Sequence, residues 1–169
     1  MSIHSDVPHD LAHDTTLVPR GAAPVGLLHE LPLVESMAIL FLRSWCQGGL
    51  ARAGIAQDFD LVLSQSEAVA ALYNFDSLMG LVLSHARRNL MRHDIGCACF
   101  GGDESAFANL IGAAVAGDTD DSMLFATNLL LGPAAFDAVM LARALAKPLL
   151  RLARHSRNQS TPVASSRVH

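Results

Sequence analysis

Between Ser66 and Ala86 the apolar residues Ala68, Leu72, Phe75, Met79, Val82 and Ala86 recur at intervals of 4, 3, 4, 3 and 4. That rhythm sets all six on one stripe of an α-helix and is foreign to a strand, whose faces alternate every second residue. Ser66 is placed to cap the N-terminus, and His85-Ala86-Arg87-Arg88 supplies a cationic C-terminal end that suits the helix dipole. A seam of this kind is a packing surface and calls for further helices to cover it. The composition can provide them. Hydrophobic residues make up 51% of the 169, Ala and Leu carry much of that, and β-branched residues are sparse. Aromatics are few, so the core is aliphatic, with some Phe and the single Trp45 and Tyr73 as anchors.

The neighbouring segments carry the same signals. A first helix starts near Pro32, with Glu35 in its first turn, and sets Val34, Ala38, Phe41 and Trp45 on one stripe, flanked by Leu33, Met37 and Leu40. Gly48-Gly49 ends or kinks it, and a short helix follows through about Gln57. Farther on, Asp103 is positioned as an N-cap before Phe107, Leu110, Ile111, Ala114 and Val115, with Gly117 as the stop. Thr119 caps the next helix, and so short a link implies an antiparallel hairpin. Gly112, Ala113, Ala114 and Ala116 are small enough for close helix contact. Gly132-Pro133 then precedes a last helix over about 134–155, with Ala138, Leu141, Leu145 and Leu152 inward and a kink at Pro148. The expected fold class is all-α: a compact bundle of about five helices, one domain over 29–155, between a disordered N-terminal arm (1–28) and a disordered tail (156–169).

The arm is rich in Pro, Asp, His, Thr and Gly; His4, His9 and His13 lie near Asp6, Asp10 and Asp14, a composition that binds metal weakly. Leu17-Val18-Pro19-Arg20-Gly21 matches the thrombin cleavage sequence used in expression vectors. The start of the chain has no basic segment leading into an apolar one, and no apolar run approaches the roughly 20 residues of a transmembrane helix. Three cysteines, two of them separated by one residue, form no disulfide framework. A reducing cytoplasm is therefore expected. Eleven Arg against one Lys, with abundant Ala, fit a GC-rich, bacterial coding sequence.

The helical pattern breaks in one place, His93-Asp94-Ile95-Gly96-Cys97-Ala98-Cys99-Phe100-Gly101-Gly102-Asp103-Glu104. Thiolate and imidazole are the ligands zinc favours, so His93, Cys97 and Cys99 form a candidate metal set, with His85 or Asp103 as a fourth ligand. An iron–sulfur cluster would have to recruit Cys46 and a ligand other than Cys, a poorer fit. Small, partly buried cysteines at a tight turn explain the same letters. Phe100-Gly101-Gly102-Asp103-Glu104 resembles the Gly-Gly-Asp-Glu core of diguanylate cyclases. The resemblance ends at Ser105, where that family has Phe, and the family sets the motif on a β-hairpin of an α/β domain. This motif leads into a helix, so no cyclase activity is expected. Asp118-Thr119-Asp120-Asp121-Ser122 starts like a calcium loop, but Met123 and Leu129 stand where an EF-hand needs Gly and Glu.

Arg143, Lys147, Arg151 and Arg154 step by 4, 4 and 3 along one face of the last helix, and no acidic residue follows Asp137. The overall charge of −4 argues against generic polyanion binding, and the stripe lacks base-stacking aromatics, which disfavours nucleic acid. Glu-x-x-His pairs, a Gly-x-Ser-x-Gly elbow, a phosphate loop and a dinucleotide fingerprint are all missing from the sequence. The leading expectation is a small helical adaptor or regulatory protein that binds a protein partner through Arg143, Lys147, Arg151 and Arg154, with self-association as a further use of its apolar content. The alternative is a metal- or thiol-dependent sensor or enzyme centred on His93, Cys97 and Cys99. Peripheral membrane association through the last helix ranks third, because Ala anchors weakly and Pro148 interrupts the helix.

Overall fold

A computed structural model describes Gly21 and residues 23–160. Strand β1 (Pro24–Leu27) and a single 3-10 turn (Leu28–Glu30) lead into α1 (Leu33–Gln47), α2 (Gly49–Asp60) and α3 (Gln65–Ser84). An irregular stretch then reaches β2 (Cys99–Gly101), which runs directly into α4 (Gly102–Ala116), followed by α5 (Thr119–Leu129) and α6 (Ala134–Ser160). The described residues form an all-helical bundle of six helices with one small two-stranded sheet. No helix among the described residues is long and apolar enough to cross a membrane.

Helix α4 is the hub, packing against α1, α5 and α6, while α3 lies along α6 and α2. Phe107, Leu110 and Ile111 of α4, Leu78, Met79 and Val82 of α3, and Leu145 and Leu149 of α6 are all buried. Phe41 of α1 meets Phe59 of α2 and Phe75 of α3 edge-on, with ring centroids 5.6 and 5.7 Å apart. Such edge-to-face pairs let three helices converge on one apolar point. Trp45 Nε1 and Arg52 Nη2 both donate to Asp76 Oδ1, at 2.6 and 2.9 Å, and tie α1 and α2 to α3 at the surface.

The seam expected in α3 is present. Ala68, Phe75, Met79 and Val82 are buried, joined by Ala71 and Leu78. The helix begins two residues earlier than Ser66 implies. Ser64 is the cap, because Glu67 stands three residues on and its carboxylate takes both the Ser64 amide (3.0 Å) and hydroxyl (2.9 Å). At the other end α3 stops at Ser84. Arg87 donates its amide to Leu129 O, and Leu131 donates to His85 O, so the segment after α3 pairs with the α5–α6 link instead of extending the helix. Two further caps also move by a residue or two. Gly101, not Asp103, is the N-cap of α4, and Asp118, not Thr119, caps α5 by accepting the Asp121 amide.

Regular secondary structure extends on both sides of 29–155. The last residues assigned to the N-terminal arm form β1, and α6 continues to Ser160 because nothing after Pro148 breaks it. The disorder expected of 1–20 and 161–169, the arm histidines and most of the thrombin-like sequence lie outside the described residues. In β1, Gly26 lies opposite Phe100; a Cβ there would sit 2.8 Å from the Phe100 ring, so only glycine lets the strand lie flat on it.

Candidate functional site

Helices α1 and α4 meet along one seam with a repeat of four residues. Glu35 lies against Gly112, Ile39 packs with Ala108, and Arg43 pairs with Glu104. The partner numbers rise on one helix as they fall on the other, so the helices are antiparallel, and Ala108 and Gly112 are small enough to bring them close. A Cβ on Gly112 would stand 2.6 Å from Glu35 Oε1. Burial pushes the Glu35 carboxyl above its ordinary range.

The seam ends in a fully buried ion pair. Arg43 Nε donates to Glu104 Oε1 at 2.7 Å, and both side chains are 0% exposed. The rest of the guanidinium serves the irregular stretch: Nη1 donates to Asp94 O (3.2 Å) and Cys97 O (2.7 Å), and Nη2 donates to Cys99 O (2.6 Å). Glu104 is equally occupied. Oε1 also accepts the His93 amide (3.1 Å), while Oε2 takes His93 Nδ1 (2.7 Å) and the Gly101 amide (2.9 Å). Four donors fill the carboxylate's acceptor sites, which is the condition for keeping a buried charge. Burial by itself would raise the Glu104 carboxyl, but the Arg43 and His93 side chains and the amides of Gly101 and His93 outweigh it and hold the group below its ordinary range.

Next to it, Asp103 accepts Arg88 and, at 2.9 Å, the Met91 amide. The two carboxylates that open α4 therefore grip the incoming loop from both sides. The Gly-Gly-Asp-Glu letters serve this clamp: strand β2 passes straight into α4, and both acidic side chains are buried and taken by the protein's own donors.

Each residue of the proposed metal set has a defined place. His93 is bound through Nδ1 to Glu104. Asp103 is engaged as described, and His85 is an exposed C-cap of α3 whose carbonyl accepts from Leu131. Cys97 and Cys99 lie together and partly exposed, with both carbonyls on Arg43. Among the described residues no three His, Cys, Asp or Glu side chains converge as a metal ion would require. The two thiols act on each other. The neighbouring Cys99, with help from the Arg43 charge, holds the Cys97 thiol below its usual range. Cys99 is pushed up in turn. Cys46, in α1, is raised by burial, against an opposing influence of Arg92.

The basic stripe lies on the outer surface. Arg143, Lys147, Arg151 and Arg154 are all exposed. Arg151 bonds Glu67 of α3 at 3.0 Å, whereas Arg143, Lys147 and Arg154 take part in no ion pair among the described residues. Helical spacing puts Phe136 and Met140 on the same face, 58% and 50% exposed. Lys147 and Arg151 edge a cleft of about 210 Å³ between α3 and α6 that is also lined by Leu63, Glu67, Ala70, Ala71, Asn74 and Pro148. Pro148 has no amide hydrogen, so the Ala144 carbonyl in this cleft lacks its usual intrahelical donor.

Comparison with protein-family models, with curated proteins and with solved structures yields no match to this chain. The sequence reading missed Arg43, the organiser of the loop. A signal was there: Arg43 follows Ile39 by four residues and Leu42 by one, a cation set into a face that is otherwise buried. It also passed over Phe136 and Met140, which share the helical face of the basic stripe.

Proposed function

We propose that the protein is a helical interaction module whose exposed α6 face binds an acidic segment of another protein, one that also carries apolar anchors. The observation that carries this reading is the joint presentation, on one helical face, of three cations without an ion pair among the described residues and two large apolar side chains, Phe136 and Met140. Cations without partners draw an acidic chain and set its orientation. Exposed Phe136 and Met140 supply apolar contacts that a partner would desolvate and that carry affinity. Phosphate-rich polymers would use the charges and leave Phe136, Met140 and the Ala70–Pro148 cleft idle, so a protein partner fits better. The engaged carboxylates of α4 leave the other end of the bundle to a structural role.

The test is site-specific photocrosslinking in cells from position 140 of α6, with position 128 of α5 as the control surface. A partner captured only from position 140, and lost when Arg143, Lys147 and Arg154 are together changed to Glu, supports the reading. The adduct should carry an acidic, apolar-anchored segment, and its yield should fall as salt is raised. Equal capture from both positions, or capture that survives the charge reversal, would overturn it.

A further inference from the structure

The cleft between α3 and α6 has an apolar wall, made by Leu63, Ala70, Ala71 and Pro148, and a charge that is not cancelled. Arg151 Nη1 takes both oxygens of Glu67, at 3.0 and 3.1 Å, and Glu67 also holds the Ser64 amide and hydroxyl. That carboxylate is therefore spent. Lys147 remains as the cation of the cleft that enters no ion pair among the described residues. Two neutral polar groups stand with it. The Ala144 carbonyl lacks its usual intrahelical donor because Pro148 has none to give, and the Asn74 side chain makes no hydrogen bond among the described residues. At about 210 Å³ the cleft is smaller than the roughly 300–1,000 Å³ of sites that enclose whole small molecules. It suits one side chain of a polypeptide laid across it.

We propose, on the reading of α6 as a protein-binding face, that this cleft captures the C-terminal residue of the partner chain. The terminal apolar side chain fills the hollow against Pro148, the free carboxylate meets Lys147, and the amide of the same residue donates to Ala144 O. A C-terminal apolar residue carries all three complements on a single Cα, and Ala144, Lys147 and Pro148 lie within about one turn of α6. An internal apolar residue would set a neutral carbonyl against Lys147, and an acidic side chain would leave the hollow empty. Asn74, on the α3 side, has donors for the same carboxylate. Cation and backbone groups capture chain termini in other recognition sites by the same chemistry.

The order of these groups along α6 also sets the direction of the bound chain. With its carboxylate at Lys147 and its amide at Ala144, the preceding residues run toward the start of the helix, past Arg143, Met140 and Phe136. Acidic and apolar side chains of the partner meet their counterparts there.

The experiment immobilises the full-length chain and offers it octapeptides of random sequence, once as free C-terminal acids and once as C-terminal amides; retained peptides are sequenced by mass spectrometry. The acid pool should be enriched about tenfold in Leu, Ile, Val, Met or Phe at the last position, and the amide pool should show no such preference. By fluorescence anisotropy the best-retained acid should bind at least about tenfold more tightly than its amide. Lys147→Gln should erase that difference. Ala70→Leu, which fills the hollow from an exposed helical position, should weaken the acid by a similar factor, with circular dichroism confirming that both variants keep the fold. Acidic peptides retained alike from both pools, and lost when Arg143, Lys147 and Arg154 are changed to Glu, would overturn the proposal and spare the reading of the face. Retention of no acidic peptide from either pool would overturn both. An acid–amide difference that survives Lys147→Gln would place the terminus elsewhere and overturn the proposal. Competition by N-acetyl-leucine at the concentration of the peptide itself would make the cleft a site for small carboxylic acids, and would overturn it too.

Discussion

Changing Arg43 to Met keeps most of the side-chain volume and removes the guanidinium, and its cost can be worked out bond by bond. The charge on Glu104 would stay buried with only His93 and the amides of His93 and Gly101 to hold it. The carbonyls of Asp94, Cys97 and Cys99 would lose a charged donor. Removing one member of a buried pair costs about 3–5 kcal/mol, chiefly because the surviving charge is left uncompensated. Against a total stability of roughly 5–15 kcal/mol, that is a large fraction. Arg52→Ala, which breaks a surface pair with Asp76 and a cation–π contact with Trp45, should cost only about 1 kcal/mol. Urea titration followed by far-ultraviolet circular dichroism gives both numbers. Adding Glu104→Gln to Arg43→Met should recover about 2 kcal/mol relative to the sum of the single changes, since the double variant has no stranded charge. Hydrogen exchange over 88–101 should lose protection in Arg43→Met before the helices do. A cost for Arg43→Met under about 1 kcal/mol, or strict additivity in the double variant, would refute the view that this pair organises the loop.

Two further outcomes follow from the same contacts. The Glu104 carboxyl is depressed below its ordinary value of 4.5 in the folded state, so its contribution is fully present above that value and is lost as the pH falls through the lower, folded-state pKa. Glu104→Gln should therefore flatten the acid limb of stability against pH below the ordinary carboxylate value of 4.5, measured by thermal melts across a pH series. Glycine tests the close approach of α1 and α4. Gly80→Ala in α3 meets nothing within 4 Å and should stabilise by ~0.5–1 kcal/mol, the ordinary helix gain. Gly112→Ala should gain less or lose stability, because its Cβ meets Glu35, and should regain the full benefit in a Glu35→Ala background. Equal effects at the two glycines would mean that the seam has slack.

What could be read in the sequence was what depends on neighbours along the chain. The apolar intervals from Ala68 to Val82, the glycine stop at Gly117 and the Gly132-Pro133 break are local facts, since helix periodicity and left-handed caps need only a few residues to express themselves. For the same reason the basic face of α6 could be seen in residue spacing before any fold was known. Capping was partly legible. Ser64 and Glu67 form a recognisable pair, yet Ser66 stands close enough to compete for the role, and only the backbone's path selects between them.

The loop that carries His93, Cys97 and Cys99 was decided elsewhere. Its residue types suggest a metal site because soft and imidazole ligands sit close together in the chain, but ligand sets are defined in space. In space His93 belongs to Glu104, Asp103 belongs to Arg88 and Met91, and the carbonyls of Cys97 and Cys99 belong to Arg43. The residue that sets this arrangement, Arg43, lies 61 positions from its partner Glu104, and no local rule connects them. Sequence alone settled that the chain would bury an aliphatic helical core. Tertiary packing decided that one arginine would be buried with it, because a guanidinium leaves water only where the surrounding acceptors can be brought to it from distant parts of the chain.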